Sequence, residues 1–262
     1  MPDLFLMTKF VSKEKQVMEE EEFYNKIQKA LEEIPDNFNI LEEKINIETQ
    51  TWYFNYSNRL KEKGGLKKYL KKKDQLFDES EIESKREILC GLASIADVTA
   101  YRSIEKYLQS PDPELKDWAI LALQESRMLL QSSLLEEQQI YISTGLGGKG
   151  ANLRYNVVFS FKNTSLELEA FQQKLVRSEL IDYLKEHKGQ LEEIGFFKGY
   201  ASTVVNLPLK APLKQIFKNF VSTVNEYGNF LSEDVIVTNV KILSAKEIRR
   251  IIASRRKSVD LD

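Results

Sequence analysis

The chain has 262 residues, of which 42% are hydrophobic and 30% are charged, and its formal net charge at pH 7 is −2. This composition is that of a folded globular protein and excludes a disordered or collagen-like chain. A single histidine and a single cysteine exclude an intrachain disulfide and a zinc site built from these two residue types. Apolar runs are far shorter than the ~20 residues that span a bilayer, so we expect no membrane partner. No secretory signal pattern is present at the N-terminus, and we therefore expect a cytoplasmic location.

The distribution of charge divides the chain into two unlike halves. Residues 1–140 carry 20 basic and 27 acidic residues, whereas residues 141–262 carry 18 basic and 13 acidic residues. The hydrophobic periodicity changes at the same place, from helical spacing to an alternation typical of strands. We therefore predict a two-domain α+β protein, with an all-helical domain over 1–136 and an α+β domain over 137–262.

The first half has helical periodicity interrupted by short polar breaks. Strand-like alternation is absent from it, and short breaks are typical of helices that pack as antiparallel neighbours. The predicted helices upstream of residue 97 extend over about 12–34, 40–63, 66–73 and 80–95.

Residues 97–130 contain the most recognisable pattern of the chain. An amphipathic helix over 97–109 is followed by the turn Ser110-Pro111-Asp112-Pro113-Glu114, in which Asp112 is expected to cap the next helix. That helix, over 115–130, is apolar on nearly every side, which is typical of a helix packed between others. The positions of the first helix expected to face the core are Val98, Tyr101, Ile104 and Leu108. Those of the second helix include Trp118, Ala119, Ala122 and Leu123.

This succession of helix, Pro-Asp-Pro turn and inner helix resembles a HEAT repeat, the unit of one family of α-solenoids. The resemblance covers about residues 97–127, and the predicted helix over 80–95 is a candidate for the inner helix of an earlier repeat. A single repeat cannot bury its own apolar face, and about three are usually needed for stability. The resemblance therefore implies an irregular α-solenoid of HEAT-like helix pairs in the first domain.

The second half changes to short strands and helices from residue 139 onward. A strand over 140–144 and a strand over 155–161 predict a hairpin around a glycine-rich loop. The elements predicted after this hairpin are a helix over 166–187, a β-rich segment over 196–209, a helix over 213–227, a strand over 235–243 and a helix from 244. The order ββαβαβα predicts a small α+β sandwich in which helices cover one face of a four-stranded sheet.

Four of the 11 glycines lie in residues 145–150, between the two strands of the predicted hairpin. Such a loop exposes backbone N–H groups that can hold a phosphate or another anion, with lysine and arginine side chains nearby. A Walker A loop is excluded because a glycine, and not serine or threonine, follows the lysine. The alternative, which we favour, is an exposed hairpin tip whose glycines supply positive φ angles. The candidate anion-binding residues are Gly145, Gly147, Gly148, Lys149, Gly150 and Arg154.

Two basic segments are further candidates for a binding surface. Seven lysines lie between residues 61 and 73, and four arginines lie close to the C-terminus. Each segment fits either contact with a polyanion or the solvated face of a helix. The candidate basic-patch residues are Lys67, Lys68, Lys71, Lys72, Arg249, Arg250, Arg255 and Arg256.

The residue types most used in catalysis occur in structural contexts. Cys90 lies in an apolar stretch, where a thiol behaves as a small hydrophobe, and His187 lies at the predicted end of a helix before Gly189. Carboxylates are plentiful but do not form a catalytic or metal-binding motif. We therefore predict no catalytic residue, no metal ligand and no cofactor.

A solenoid presents an extended surface to other proteins. The sequence therefore predicts a non-enzymatic cytoplasmic protein-interaction or scaffolding protein with a protein partner. The alternatives are a nucleic-acid-associated protein that uses the basic second half, and a phosphate-ligand-binding enzyme that uses the loop over 145–150.

Overall fold

A computed structural model of the chain describes Ile34 and residues 38–135 and 140–259. The described residues form two units: the first comprises 38–41, 45–135 and 140–143, and the second comprises Ile34, 42–44 and 144–259. Helices and strands are both present, as predicted for an α+β protein. The predicted helix over 12–34, apart from Ile34, and the predicted domain boundary after residue 136 lie outside the described residues.

The first unit consists mainly of helices. Its elements are β1 (Phe38–Ile40), α1 (Ile47–Lys63), α2 (Lys68–Lys72), a 3-10 helix (Lys73–Phe77), α3 (Ile82–Ala93), α4 (Val98–Leu108), a second 3-10 helix (Pro113–Leu115), α5 (Lys116–Leu135) and β2 (Ile140–Ile142). Strands β1 and β2 pair in parallel. The prediction of a first half without strands is wrong here, because a strand of three residues is too short to show an alternating pattern.

Helix α5 lies at the centre of this unit and contacts α1, α3 and α4. Its side chains Trp118, Ala119, Ala122 and Leu123 are buried, which confirms the prediction of an inner helix. The prediction for α4 is confirmed at Ile104, which is buried, and at Tyr101 and Leu108, which are partly buried against the core, and it is wrong at Val98. Val98 is 61% exposed, and the buried side chains are Ala100, Ile104 and Tyr107. Tyr107 is buried, and its hydroxyl donates a hydrogen bond of 2.6 Å to Asp112.

The Pro-Asp-Pro turn between α4 and α5 is stabilised by a side-chain cluster. Asp112 occupies the N-cap position, but its carboxylate does not cap the helix. It accepts hydrogen bonds from the hydroxyl of Tyr107 and from Nζ of Lys85 on α3, the latter at 2.9 Å. The hydrogen bond from Tyr107 and then that from Lys85 lower the pKa of Asp112. The predicted capping role is therefore replaced by a link between the turn, α3 and α4.

The second unit contains an antiparallel sheet and three helices. Its elements are β3 (Gly148–Lys149), β4 (Asn152–Phe161), α6 (Ala170–Glu186), β5 (Gln190–Phe197), β6 (Tyr200–Pro208), α7 (Leu213–Glu226), β7 (Leu231–Thr238) and α8 (Ala245–Val259). Among the described residues the sheet has five strands, one more than predicted.

Strand β4 is central, with β6 along one edge and with β7 and the short β3 along the other. Strand β5 pairs with the far side of β6, and every pairing is antiparallel. Without β3, the strand order β7-β4-β6-β5 with helices after β4 and β6 is the βαββαβ arrangement of ferredoxin-like folds. The predicted hairpin of 140–144 with 155–161 is wrong, because β2 pairs with β1 in the first unit and β3 forms the hairpin with β4.

Helices cover both faces of the sheet. Phe159 of β4 contacts the rings of Phe217 and Phe220 on α7, whereas the neighbouring Val158 packs with Ile248 and Ile252 of α8. Successive side chains of a strand point to opposite faces, so α7 and α8 lie on opposite sides of the sheet. The prediction that helices cover a single face is therefore wrong. Within the described part of the chain, no helix is both long enough and apolar enough to cross a membrane.

Candidate functional site

The first unit carries an aromatic and basic surface along α1. Trp52, Tyr56 and Arg59 are spaced four and three residues apart, so they lie on one side of this helix. Trp52 is 50% exposed, Tyr56 is half-buried and Arg59 is exposed. We call these three residues the Trp52 surface.

The indole of Trp52 is held in place by two neighbours. Its ring lies edge-on to that of Trp118, with 4.8 Å between the ring centroids. The guanidinium carbon of Arg86 on α3 lies 4.5 Å from the centroid of Trp52 and 5.1 Å from that of Trp118. Arg86 also donates a hydrogen bond to Glu83, and its carbonyl accepts one of 3.2 Å from the indole of Trp118. These contacts restrict the rotamers that the half-exposed indole can adopt.

A second side of α1 carries a polar stripe that contacts α5. Tyr53, Ser57 and Lys61 are spaced four residues apart, and all three contact the carboxylate of Glu125. Tyr53 donates its hydroxyl, Ser57 donates at 2.9 Å, and Lys61 forms an ion pair. The side chain of Glu125 is 2% exposed. Directed contacts of this kind hold α1 in one rotation, and that rotation turns Trp52 outward.

Burial and the Glu125 carboxylate govern the protonation of nearby groups. Burial, with the charge of Glu125 as the second cause, raises the pKa of Tyr53 well above its usual value. The same two causes raise the pKa of Cys90. A buried thiol with a raised pKa remains protonated and unreactive near neutral pH, which agrees with the expectation that Cys90 acts as a hydrophobe.

Sequence reasoning did not find this buried cluster. Two signals could have indicated it. Glu125 lies between the apolar segments 119–123 and 128–130 of α5, and α1 carries hydroxyl and amine side chains at a spacing of four residues. Neither signal, however, says that the two helices are neighbours.

The glycine loop of the second unit is mostly buried. Residues 145–148 are buried and only Lys149 and Gly150 are exposed. Gly147 has φ +65°, and a Cβ there would lie 2.5 Å from the carbonyl oxygens of both Glu42 and Glu43. The expectation of an exposed hairpin tip is wrong for these four residues, because the segment 42–44 packs against them.

The polar groups of this loop bond to acidic residues of the same unit. The N–H of Gly150 donates to Oε1 of Glu42 at 2.9 Å. Arg154 donates from Nη1 to the carbonyl of Glu42 at 2.6 Å and from Nε to the carboxylate of Glu192 at 2.8 Å. The structure thus brings Arg154 and the loop together, as an anion site requires. Anion binding stays a prediction, and a bound anion would compete with the Glu42 carboxylate.

The candidate basic-patch residues divide between the two units. Lys67, Lys68, Lys71 and Lys72 are exposed on and just before α2 in the first unit. In the second unit Arg249 and Arg250 are exposed on α8. Arg255 forms an ion pair with Asp234, and Arg256 donates to the carbonyl of Phe161 at 2.7 Å. Arg255 and Arg256 therefore attach α8 to the sheet.

The remaining chemistry-bearing residues are accounted for by the fold. His187 is the C-cap residue of α6, which confirms its predicted position at a helix end. Within residues 38–135 and 140–259, we find no group of three or more acidic, histidine or cysteine side chains that could hold a metal ion.

Comparison with known proteins gives no family assignment. No family model matches the sequence, and no curated protein matches it. A solved structure provisionally described as a transposase of Deinococcus radiodurans R1 is similar to part of the chain. The match covers 41% of this chain and 93% of that one, at 13% identity and a TM-score of 0.33. Similarity at this level assigns neither fold nor function.

Proposed function

We propose that the protein is a non-enzymatic interaction module whose first unit binds an amphipathic helix of a partner protein at the Trp52 surface. The observation that carries this proposal is the half-exposed indole of Trp52, braced by Arg86 and Trp118. Tryptophan, tyrosine and arginine are the residues that most often dominate binding energy at protein interfaces. A ring whose rotamers are already restricted loses less side-chain entropy when a partner covers it.

The charge along α1 indicates the chemistry of the partner. Beyond Trp52 and Tyr56, the same side of the helix continues to Arg59 and Lys63, both exposed. The stripe is therefore apolar at one end and basic at the other. An amphipathic helix with an apolar anchor followed by acidic residues complements such a stripe in both shape and charge.

The helix pair α4–α5 and its Pro-Asp-Pro turn support a HEAT-like interpretation of the first unit. In such repeats the partner docks on the surface of stacked helices. A scaffolding role in the cytoplasm is part of the same proposal.

The proposal is tested by selecting helical peptides from a displayed library on the full chain and then measuring the affinity of the selected peptides for the full chain and for the Trp52→Ala variant. We expect selected peptides to share an apolar anchor and several acidic residues. Trp52→Ala should weaken their binding about 30-fold, the effect of a residue contributing about 2 kcal/mol. Arg59→Glu should also weaken binding, because it replaces an attraction for the acidic residues of the peptide by a repulsion. This loss of affinity should be larger at low salt concentration.

The matched control is Phe171→Ala, which removes an exposed aromatic ring from α6 in the second unit. It should leave peptide affinity unchanged. Circular dichroism and thermal unfolding of each variant establish that the fold is intact. Selected peptides that bind the Trp52→Ala variant as tightly as the parent chain would contradict the proposal.

A further inference from the structure

A basic face lies on α2 and on the residue that precedes it. Lys67, Lys68, Lys71 and Lys72 reach solvent, and their spacing places them on one side of the helical turn. The other side is fixed by Tyr69, which is buried against Gly91 of α3, where a Cβ would lie 2.2 Å from the tyrosine ring. None of the four lysines forms an ion pair with another described residue.

The charge of this segment is strongly one-sided. Residues 59–73 contain seven lysines and one arginine against a single acid, Glu62. Within this stretch Lys61 is paired with Glu125 and Lys73 with Asp74. Nζ of Lys68 lies 4.8 Å from the centroid of the Tyr69 ring, and Lys67, Lys71 and Lys72 keep their charges available to a ligand. Such a cluster attracts a polyanion, and the polyanion releases its condensed counterions when it binds.

An exposed aromatic ring lies at the end of the same helical run. Phe77 is the last residue of the 3-10 helix that directly follows α2, and it is 46% exposed. Its ring packs edge-on against Tyr107, with 6.3 Å between the ring centroids, and Nζ of Lys106 lies 4.9 Å from its centre. The ring is thus packed against Tyr107 and has a cation beside it, as in surfaces on which nucleic-acid bases stack.

We infer that the basic face of α2 and Phe77 form a binding site for single-stranded nucleic acid. The four lysines contact phosphates, and Phe77 stacks on a base at the end of the bound segment. Phe77 follows Lys72 by five residues. This separation is about 10 Å along a 3-10 helix, a length that a few nucleotides of a single strand can span. The exposed ring favours nucleic acid over an acidic protein, because every nucleotide carries an aromatic base that can stack on it. This inference is independent of the Trp52 surface.

The test measures the anisotropy of a labelled oligothymidylate of about 20 nucleotides with the full chain between about 50 and 200 mM salt. Binding should weaken as salt increases. Replacing Lys67, Lys68, Lys71 and Lys72 together by glutamine should reduce the slope of log K against log salt by about 3, or about 0.7 for each phosphate that is no longer neutralised. Phe77→Leu should weaken binding about fivefold or more with the slope unchanged, because stacking carries little salt dependence.

The matched control replaces four exposed lysines of the second unit, Lys174, Lys198, Lys218 and Lys246, by glutamine, which changes net charge equally. It should retain the parental slope, and so should Trp52→Ala. If the fourfold α2 variant does not fold, Lys71→Gln with Lys72→Gln should produce about half of the slope change. Three results would overturn the inference. They are no measurable binding at about 50 mM salt, an equal loss of slope in the control variant, and an affinity of Phe77→Leu equal to that of the parent chain. It is also overturned by polyglutamate of equal charge binding as tightly as the oligonucleotide, which would identify an acidic protein as the ligand.

Discussion

The hydroxyl of Tyr53 on α1 donates a hydrogen bond to the buried carboxylate of Glu125 on α5, 72 residues further along the chain. Because Ser57 and Lys61 contact the same carboxylate, one acidic side chain holds one full side of α1. Trp52 precedes Tyr53 on α1, so the helix rotation that this cluster favours also determines how far the indole is exposed.

Glu125→Ala should destabilise the first unit by about 3 kcal/mol, because it leaves the hydroxyls of Tyr53 and Ser57 without their acceptor and removes the partner of Lys61. Glu125→Gln should cost less, about 1–2 kcal/mol, because the amide oxygen still accepts hydrogen bonds. Urea unfolding followed by far-ultraviolet circular dichroism measures both values. Glu105→Ala, which removes an exposed ion pair with Arg102, serves as the control and should leave the midpoint unchanged. A midpoint for Glu125→Ala equal to that of the control would show that the cluster does not stabilise the unit.

Gly147→Ala should destabilise the second unit more than Gly150→Ala does. The two glycines have similar positive φ angles, +65° and +60°, so an alanine meets the same backbone strain of about 1–2 kcal/mol at either position. Only at Gly147 would the new methyl group also meet backbone, the carbonyl oxygens of Glu42 and Glu43, whereas the space at Gly150 is open. Thermal unfolding of the two variants under identical conditions measures the difference. Equal losses would mean that the segment 42–44 does not pack against the loop in solution.

The protein should lose stability as pH rises above about 10, the ordinary pKa of tyrosine. Burial raises the pKa of Tyr56 to about 12, with the charges of Glu83 and Glu87 as further causes, and burial also raises the pKa values of Tyr53, Tyr69 and Tyr107. In the unfolded chain these hydroxyls ionise near pH 10, whereas in the folded chain they stay protonated. The stability that they contribute is complete below about pH 10 and is lost as pH rises toward about 12 and beyond.

This pH dependence is measured by urea midpoints at several values between about pH 8 and about 11.5, together with tyrosinate absorbance. Tyr56→Phe should flatten the alkaline decline. A parent chain whose tyrosines all titrate near pH 10 while it remains folded would contradict the expectation.

Asn156→Ala should destabilise the second unit by about 2–3 kcal/mol, the cost of leaving buried polar groups unsatisfied. Asn156 is fully buried on β4, its amide donates to the carbonyl of Thr203 at 2.9 Å, and its oxygen accepts from the N–H of Leu243 at 2.9 Å. The second bond attaches the segment before α8 to the sheet. Hydrogen exchange should therefore show faster exchange of the Leu243 amide in the variant. Ser202→Ala, which removes a weaker contact of 3.1 Å to the same amide, should have the smaller effect.

The elements that the sequence predicted best are those with a strong local period. The helix predicted over 213–227 is α7 (Leu213–Glu226), and the helix predicted over 97–109 is α4 (Val98–Leu108). The burial of Cys90 and the position of His187 at the end of α6 were likewise visible in their immediate neighbours. Local predictions succeed in these cases because an amphipathic helix repeats its apolar side chains every three or four residues, whatever it packs against.

Strand partners could not be predicted in the same way. The segment 140–142 has the composition of a strand, and a glycine loop separates it from β4, which favours a hairpin. Its partner is instead β1, about 100 residues earlier, in parallel. Composition determines that a segment is extended, but the choice of partner depends on which edge the rest of the chain brings near.

The amino-acid sequence by itself determined the α+β class, the helical first half and the residue types available for binding. Only the tertiary structure decided which of those residues meet: Glu125 with the polar side of α1, Arg86 between two indoles, and Glu42 against the glycine loop. The physical reason is that periodicity reports whether a side chain is buried, whereas a hydrogen bond or a ring contact requires two segments distant in sequence to pack at one distance and in one rotation.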